Sequence, residues 1–368
     1  MNSFPNSVWQ RLERAGLVSG DAPESPEADS PWFVKLLLAA SGWLASLFLL
    51  GALGVAFGDL FDSRPGLYAT GAVLIFLAIV ALKKVRNDFF EHSALALSLA
   101  GQGLIVLALF QTFNKPDTEF FWALALFQAA LSIVVPSYVH RVWSSCIVVV
   151  CVFIALQRPE LHHLVAGTVM FAVSSVWLNE YLFPNQVDRN TALAYGATLA
   201  VGVVATFPML GIHATALRAA VGVGPADAEW YELPLVGKLL VFLVLLYTVW
   251  GVMRRYSLNT RQQRWLVLAA IGLGAMSFNI PGITIGVILM LLGFSGSNGV
   301  LTSIGFVALL GFFTSYYYQL EQTLLVKSGV FMALGTSLLV LRFVLPENAL
   351  DKLSNSRSLE TGSQESKT

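Results

Sequence analysis

The sequence has few charged residues. Only 12% of its 368 residues are Asp, Glu, Lys or Arg, whereas soluble domains carry about 25%. The charges also balance, with 22 basic and 22 acidic residues. A nucleic-acid-binding domain usually has a basic excess, and an acidic disordered chain has the opposite. The composition excludes both classes, and we expect no nucleic-acid partner.

Cysteine and the common catalytic motifs are also scarce. Two cysteines, Cys146 and Cys151, are too few for a disulfide scaffold or a cysteine-rich metal site. The sequence has no phosphate-binding P-loop, no HExxH and no GxSxG motif. We therefore predict no catalytic residue, no cofactor and no metal, and we favour a protein that is not an enzyme.

Long apolar runs dominate the chain, which is 56% hydrophobic. A membrane-spanning helix needs about 20 apolar residues. The sequence predicts an all-α, polytopic transmembrane helix bundle in a lipid bilayer, with about 12 spans. Ten spans is the alternative, because the ninth and tenth stretches are short. The stretches are 36–58, 67–82, 93–113, 120–137, 141–156, 161–183, 191–212, 234–252, 264–278, 282–294, 299–315 and 326–344.

Basic residues predict the orientation, because Lys and Arg concentrate in cytoplasmic segments. With the N-terminus in the cytoplasm, 16 of the 22 basic residues lie on the cytoplasmic side. Both termini are therefore predicted to be cytoplasmic. Residues 1–31 are expected to form a tail with a short amphipathic helix, and 32–345 the transmembrane domain. The polar residues 346–368 are expected to form a disordered cytoplasmic tail.

A break between the ninth and tenth stretches is one candidate site. Discontinuous helices expose backbone groups that can bind a substrate or an ion. Close packing of helices through glycine is the alternative interpretation. Whether residues 264–294 form two spans or one broken element is left open. The candidate residues are Asn279, Pro281, Gly282 and Gly286.

A second candidate site follows the eleventh stretch. Tyr317 precedes Glu321 by about one helical turn, so the two residues share a helix face. This segment could be a substrate or partner surface on the outer side of the membrane. It could equally be an aromatic belt with a snorkelling lysine. The candidate residues are Tyr316, Tyr317, Tyr318, Glu321, Lys327 and Arg342.

The last part of the chain resembles a family of uncharacterised bacterial multi-pass membrane proteins, known only as a domain of unknown function. The resemblance implies the inner membrane of a Gram-negative bacterium and no particular reaction. It also implies a membrane-anchored partner with a GDYxxLxY motif, which this chain lacks. The resemblance depends on Pro281-Gly282, Tyr316-Tyr317-Tyr318-Gln319-Leu320, Thr323-Leu324-Leu325, Lys327-Ser328, Gly335 and Arg342.

Three functions are compatible with this pattern. The leading hypothesis is a non-enzymatic component of a membrane complex, either a transport component or an assembly scaffold. The second is a stand-alone transporter of a small or amphiphilic molecule. The third is a membrane-embedded enzyme that acts on a lipid or a lipid-linked glycan. It requires one cleft that brings together His162, His163, His213, Arg218, Asp227 and Glu229.

Overall fold

The computed structural model describes eight continuous ranges and a few single residues. The ranges are 63–84, 88–114, 116–156, 163–182, 184–206, 235–256, 260–278 and 281–319. Residue 161 and isolated residues within 13–58 and 325–336 are also described. The continuous ranges contain ten α-helices and no strand. The described part of the chain is therefore all-α, as the sequence predicts.

The ten helices are numbered here in chain order. They are α1 Arg64–Lys84, α2 Asp88–Phe113, α3 Thr118–Val134, α4 Tyr138–Ala155, α5 His163–Leu178, α6 Val187–Thr206, α7 Leu235–Tyr256, α8 Thr260–Met276, α9 Pro281–Ser295 and α10 Gly299–Gln319. Each helix lies at one of the twelve predicted stretches. The other two stretches, 36–58 and 326–344, lie mostly outside the described residues.

Four helical stretches are long and apolar enough to cross a membrane: Arg64–Lys84, Ser93–Phe113, Tyr138–Ala155 and Leu235–Tyr256. Four apolar helices are shorter: Thr118–Val134, His163–Leu178, Gly282–Ser295 and Gly299–Thr314. Length and apolar composition of these helices indicate a membrane protein.

Helix α5 ends earlier than the predicted stretch 161–183. It stops at Leu178, and two short 3₁₀ turns follow, Glu180–Leu182 and Pro184–Gln186. The Asn179 side chain donates a hydrogen bond to the Ser175 carbonyl, 2.8 Å away. Pro184 has no backbone N–H and therefore disfavours continuation of an α-helix through this segment.

The chain divides into two compact units, Met1–Ala108 and Leu109–Thr368. In the first unit, α1 meets the first part of α2 where Gly71 faces Gly101. A methyl group built on Gly71 would lie 2.8 Å from the Gly101 carbonyl oxygen. Because neither residue has a side chain, the two helix backbones can approach this closely.

The second unit contains a continuous apolar core from α5, α6, α7, α8, α9 and α10. Met170, Val244, Ile288 and Leu301 are among its fully buried side chains. Helix α4 joins through a smaller cluster in which Val149 packs with Val165 of α5 and Ala200 of α6.

Polar residues are buried in both units, while many of the largest apolar side chains are exposed. The buried polar residues include Ser98, Gln102, Gln128, Ser132, His140, Ser144, Ser174, Thr198, Thr248, Ser277 and Thr284. The exposed apolar residues include Phe76, Leu126, Ile133, Leu243, Leu268, Phe306, Val307 and Leu310. In water, large exposed apolar patches are unfavourable. In a bilayer the apolar side chains meet lipid, and the polar groups find partners inside the bundle.

Candidate functional site

The helix directions in the second unit can be read from contacts near the helix ends. Leu240 near the start of α7 lies against Gly167 near the start of α5, and Leu178 at the end of α5 lies against Gly251 near the end of α7. Helices α5 and α7 therefore run in the same direction.

Ser145 of α4 donates a hydrogen bond to the Leu193 carbonyl of α6, 2.9 Å away. Tyr138, the first residue of α4, bonds to Thr191 near the start of α6, and Val149 packs with Ala200 further along both helices. Helices α4 and α6 therefore also share a direction.

The pair α9 and α10 is antiparallel and packs closely through glycine. A methyl group on Gly282 would lie 2.3 Å from Cδ1 of Phe312, and one on Gly293 would lie 2.4 Å from the Thr302 nitrogen. The start of α9 therefore meets the end of α10, and its end meets the start of α10. Gly274 near the end of α8 similarly meets Phe242 near the start of α7.

A pair of hydrogen bonds connects Tyr195, in the first half of α6, to Asn298, just before α10. The Tyr195 hydroxyl donates to Oδ1 of Asn298 at 2.9 Å and accepts from its Nδ2 at 2.7 Å. The same Oδ1 accepts the Leu301 N–H at 3.1 Å, so Asn298 also caps helix α10. The Trp177 ring at the end of α5 packs edge-on against Tyr195, with ring centroids 4.9 Å apart.

A second connection joins the ends of α7 and α9. The Tyr256 hydroxyl donates to the Ser295 carbonyl at 3.1 Å, and Nη1 of Arg255 lies 3.5 Å from the same oxygen. The starts of α4, α6 and α10 and the ends of α5, α7 and α9 therefore lie at one end of the second unit. The start of α8 is also at this end, because only three residues separate α7 from α8 in the sequence.

We name this side the arginine end, because most described basic residues of the second unit lie there. Among the described basic residues of this unit, only Lys238, near the start of α7, lies at the opposite end. The sequence predicts a cytoplasmic position for every member of the arginine end. The members are Arg141, Arg189, Arg254, Arg255, Arg261 and Arg264.

The predicted broken element is a junction between α8 and α9. Asn279 lies outside the described residues, and Pro281 is the first residue of α9. Gly282 and Gly286 are buried, and a methyl group on Gly286 would lie 2.7 Å from Cγ of Leu309. These glycines therefore admit side chains of α10. Their proposed role in ligand binding stays a prediction.

A hydrogen bond links the two sides of this junction. Ser277, just after α8, and Thr284, in the first turn of α9, have hydroxyl oxygens 2.7 Å apart. Ser277 also donates to the Leu273 carbonyl at 2.8 Å. Since both hydroxyl groups are buried, this bond satisfies polar atoms at the point where the helix is interrupted.

The other candidate residues mostly lie outside the described part of the chain. Tyr316, Tyr317 and Tyr318 form the last turn of α10, whose backbone is described. Glu321, Lys327 and Arg342 lie outside it, as do His162, His213, Arg218, Asp227 and Glu229. His163 is the first residue of α5 and is partly buried. Both the partner surface and the histidine cleft stay predictions.

No group of three or more His, Cys, Asp or Glu side chains suited to a metal occurs among the described residues. Cys146 is partly buried and Cys151 is buried, and both are free thiols.

The family model described as "Domain of unknown function (DUF4401)" matches residues 31–347. The chain belongs to the DUF4401 family. The family description assigns no reaction, so it agrees with the resemblance seen in the sequence without adding a substrate. No curated protein and no solved structure matches this DUF4401 chain.

Sequence reasoning missed Tyr195 and Asn298 as a pair, because 103 positions separate them. A local signal was present at Asn298. It follows Gly296 and Ser297 and precedes an apolar run, which is the pattern of a helix N-cap. Nothing in the sequence indicates that the partner of this cap is Tyr195.

Proposed function

We propose that this DUF4401 protein is a multi-pass protein of the bacterial inner membrane and a non-enzymatic component of a membrane complex. It has about twelve spans, with both termini in the cytoplasm. The observation that carries the membrane assignment is the burial of polar side chains beneath exposed aliphatic and aromatic ones. This distribution is favourable in a lipid bilayer and unfavourable in water.

The arginine end supports the orientation. Lys and Arg accumulate on the cytoplasmic side of membrane proteins. The helix ends that flank the connections 135–137, 179–186, 257–259 and 296–298 meet on this side, although they come from distant parts of the chain. The predicted alternation of spans places the same four connections in the cytoplasm.

The interior favours a scaffold or transport component over a stand-alone transporter. Thr248 of α7 donates to the Ser174 hydroxyl of α5 at 3.1 Å, and Ser277 pairs with Thr284. These buried hydroxyl groups join neighbouring helices. At the α8–α9 junction, Phe312 and Leu309 lie against the glycines that the transporter hypothesis requires.

The partner is a membrane-anchored protein that contacts the segment from Tyr316 to Lys327. The support is the family resemblance and the concentration of tyrosine, Glu321 and Lys327 in one short segment. The test is purification from native membranes in a gentle detergent, followed by mass spectrometry of co-purifying proteins. We expect one stoichiometric membrane protein.

Two variants show whether that partner uses the proposed surface. Glu321→Ala should reduce recovery of the partner more than Glu160→Ala, which removes the same charge from another outer connection. A preparation that is repeatedly free of partner would contradict the complex. Equal recovery with both variants would contradict the proposed surface.

A further inference from the structure

Four arginines lie between positions 254 and 264, at the end of α7 and the start of α8, on the arginine end. Helix α7 ends at Tyr256 and α8 begins at Thr260. Four steps of the backbone cover at most about 15 Å. Gly274 near the far end of α8 packs against Phe242 near the start of α7, so the two helices form an antiparallel hairpin.

Three arginines of this hairpin expose their side chains: Arg254, Arg261 and Arg264. The Arg254 guanidinium lies over the Trp250 ring, 3.8 Å from the ring centroid. Nε of Arg264 lies 3.4 Å from the Thr260 carbonyl oxygen, within the same helix. Arg255 differs from these three, because it is partly buried and lies against the Ser295 carbonyl.

The sequence around the hairpin supplies no acidic residue. From residue 233 to residue 320 the chain has neither Asp nor Glu, while it has one lysine and four arginines. The hairpin therefore has a net positive charge, and no carboxylate of its own neutralises the guanidinium groups. A complementary ligand must be anionic.

Two tryptophans indicate the depth of these arginines in a bilayer. Trp250 is 46% exposed and Trp265 is 41% exposed. Exposed tryptophans are enriched at the headgroup level of a membrane. Towards the middle of the same helices, exposed Leu243 and Leu268 provide an apolar surface suited to acyl chains. The arginines therefore lie where a phosphate headgroup would be.

We infer that Arg254, Arg261 and Arg264 bind the phosphate of an anionic membrane lipid at the α7–α8 hairpin. A guanidinium group offers a planar pair of N–H donors that matches two phosphate oxygens, so arginine binds phosphate with more geometric selectivity than lysine. The inference depends on the membrane location proposed above, and it is independent of the protein partner.

The test is native mass spectrometry of the detergent-purified full chain, titrated with dioleoylphosphatidylglycerol. We expect saturable binding of the first lipid, with weaker binding of dioleoylphosphatidylcholine. The double variant Arg261→Gln/Arg264→Gln should bind phosphatidylglycerol about 25-fold more weakly, at about fivefold per arginine. The matched control is Lys83→Gln/Lys84→Gln, which removes the same charge from exposed residues at the end of α1.

Two further measurements identify the ligand chemistry. Arg261→Lys/Arg264→Lys keeps the charge and loses the planar donors, so its affinity should fall between those of the wild type and the glutamine variant. Inorganic phosphate should compete only at far higher concentration, because it lacks acyl chains.

The inference is overturned if Arg261→Gln/Arg264→Gln and Lys83→Gln/Lys84→Gln lose the same affinity for phosphatidylglycerol. It is also overturned if the wild type binds phosphatidylglycerol and phosphatidylcholine equally well. Release of the protein from membranes by alkaline carbonate would instead contradict the membrane location.

Discussion

The Tyr195 hydroxyl and the Asn298 side-chain amide exchange two hydrogen bonds, at 2.9 Å and 2.7 Å. This pair joins the first half of α6 to the turn that begins α10. Asn298 also caps α10 through the Leu301 N–H. One side-chain amide therefore both caps α10 and links its first turn to α6.

Tyr195→Phe removes the hydroxyl and leaves the Asn298 cap in place. We expect the free energy of unfolding to fall by about 0.5–1.5 kcal/mol, the usual contribution of a hydrogen bond. Asn298→Ala should cost more, because it also removes the helix cap. Thermal unfolding of the two single variants and the double variant in mild detergent measures this coupling. Strictly additive losses would show that the two side chains do not interact.

Gly282→Ala tests the close packing of α9 against α10. The added methyl group would lie 2.3 Å from Cδ1 of Phe312, so the helices or the ring must move. Overpacking of this kind destabilises by about 1–3 kcal/mol. Gly311→Ala is the control on α10, because among the described residues nothing beyond its own turn of the helix lies within 4 Å of the added methyl group. The packing account fails if both variants melt at the wild-type temperature.

Ser277→Ala tests the hydrogen bond at the junction of α8 and α9. The change leaves the buried Thr284 hydroxyl without this partner, and we expect a loss of about 1 kcal/mol in the free energy of unfolding. Ser303→Ala, on the exposed face of α10, should have no measurable effect. If the two variants are equally stable, the hydrogen bond does not stabilise the junction.

Hydropathy predicted the helices well, because a membrane span must be both long and apolar. Every continuous described helix lies at a predicted stretch. The predicted end of the stretch that contains α5, at residue 183, was less accurate. A hydropathy profile does not distinguish an α-helix from the 3₁₀ turns that follow Leu178. Helix boundaries depend on single residues such as Asn179 and Pro184.

The site could be predicted only in part. Glycine spacing indicated close packing or a break at Gly282, and the structure shows Phe312 against this residue. The pairs Tyr195–Asn298 and Tyr256–Ser295 depend on contacts across 103 and 39 positions. Spacing along a single helix carries no information about such contacts.

The most direct test is the side of the membrane on which the arginine end lies. Single cysteines would replace exposed Asn185 and Ser297, with exposed Asn114 as the probe for the opposite side. Each single-cysteine variant also carries Cys146→Ala and Cys151→Ala, so that the introduced cysteine is the one that reacts. A membrane-impermeant maleimide added to intact spheroplasts should label position 114 and should label 185 and 297 only after permeabilisation. Labelling of 185 or 297 in intact spheroplasts would contradict the proposed topology.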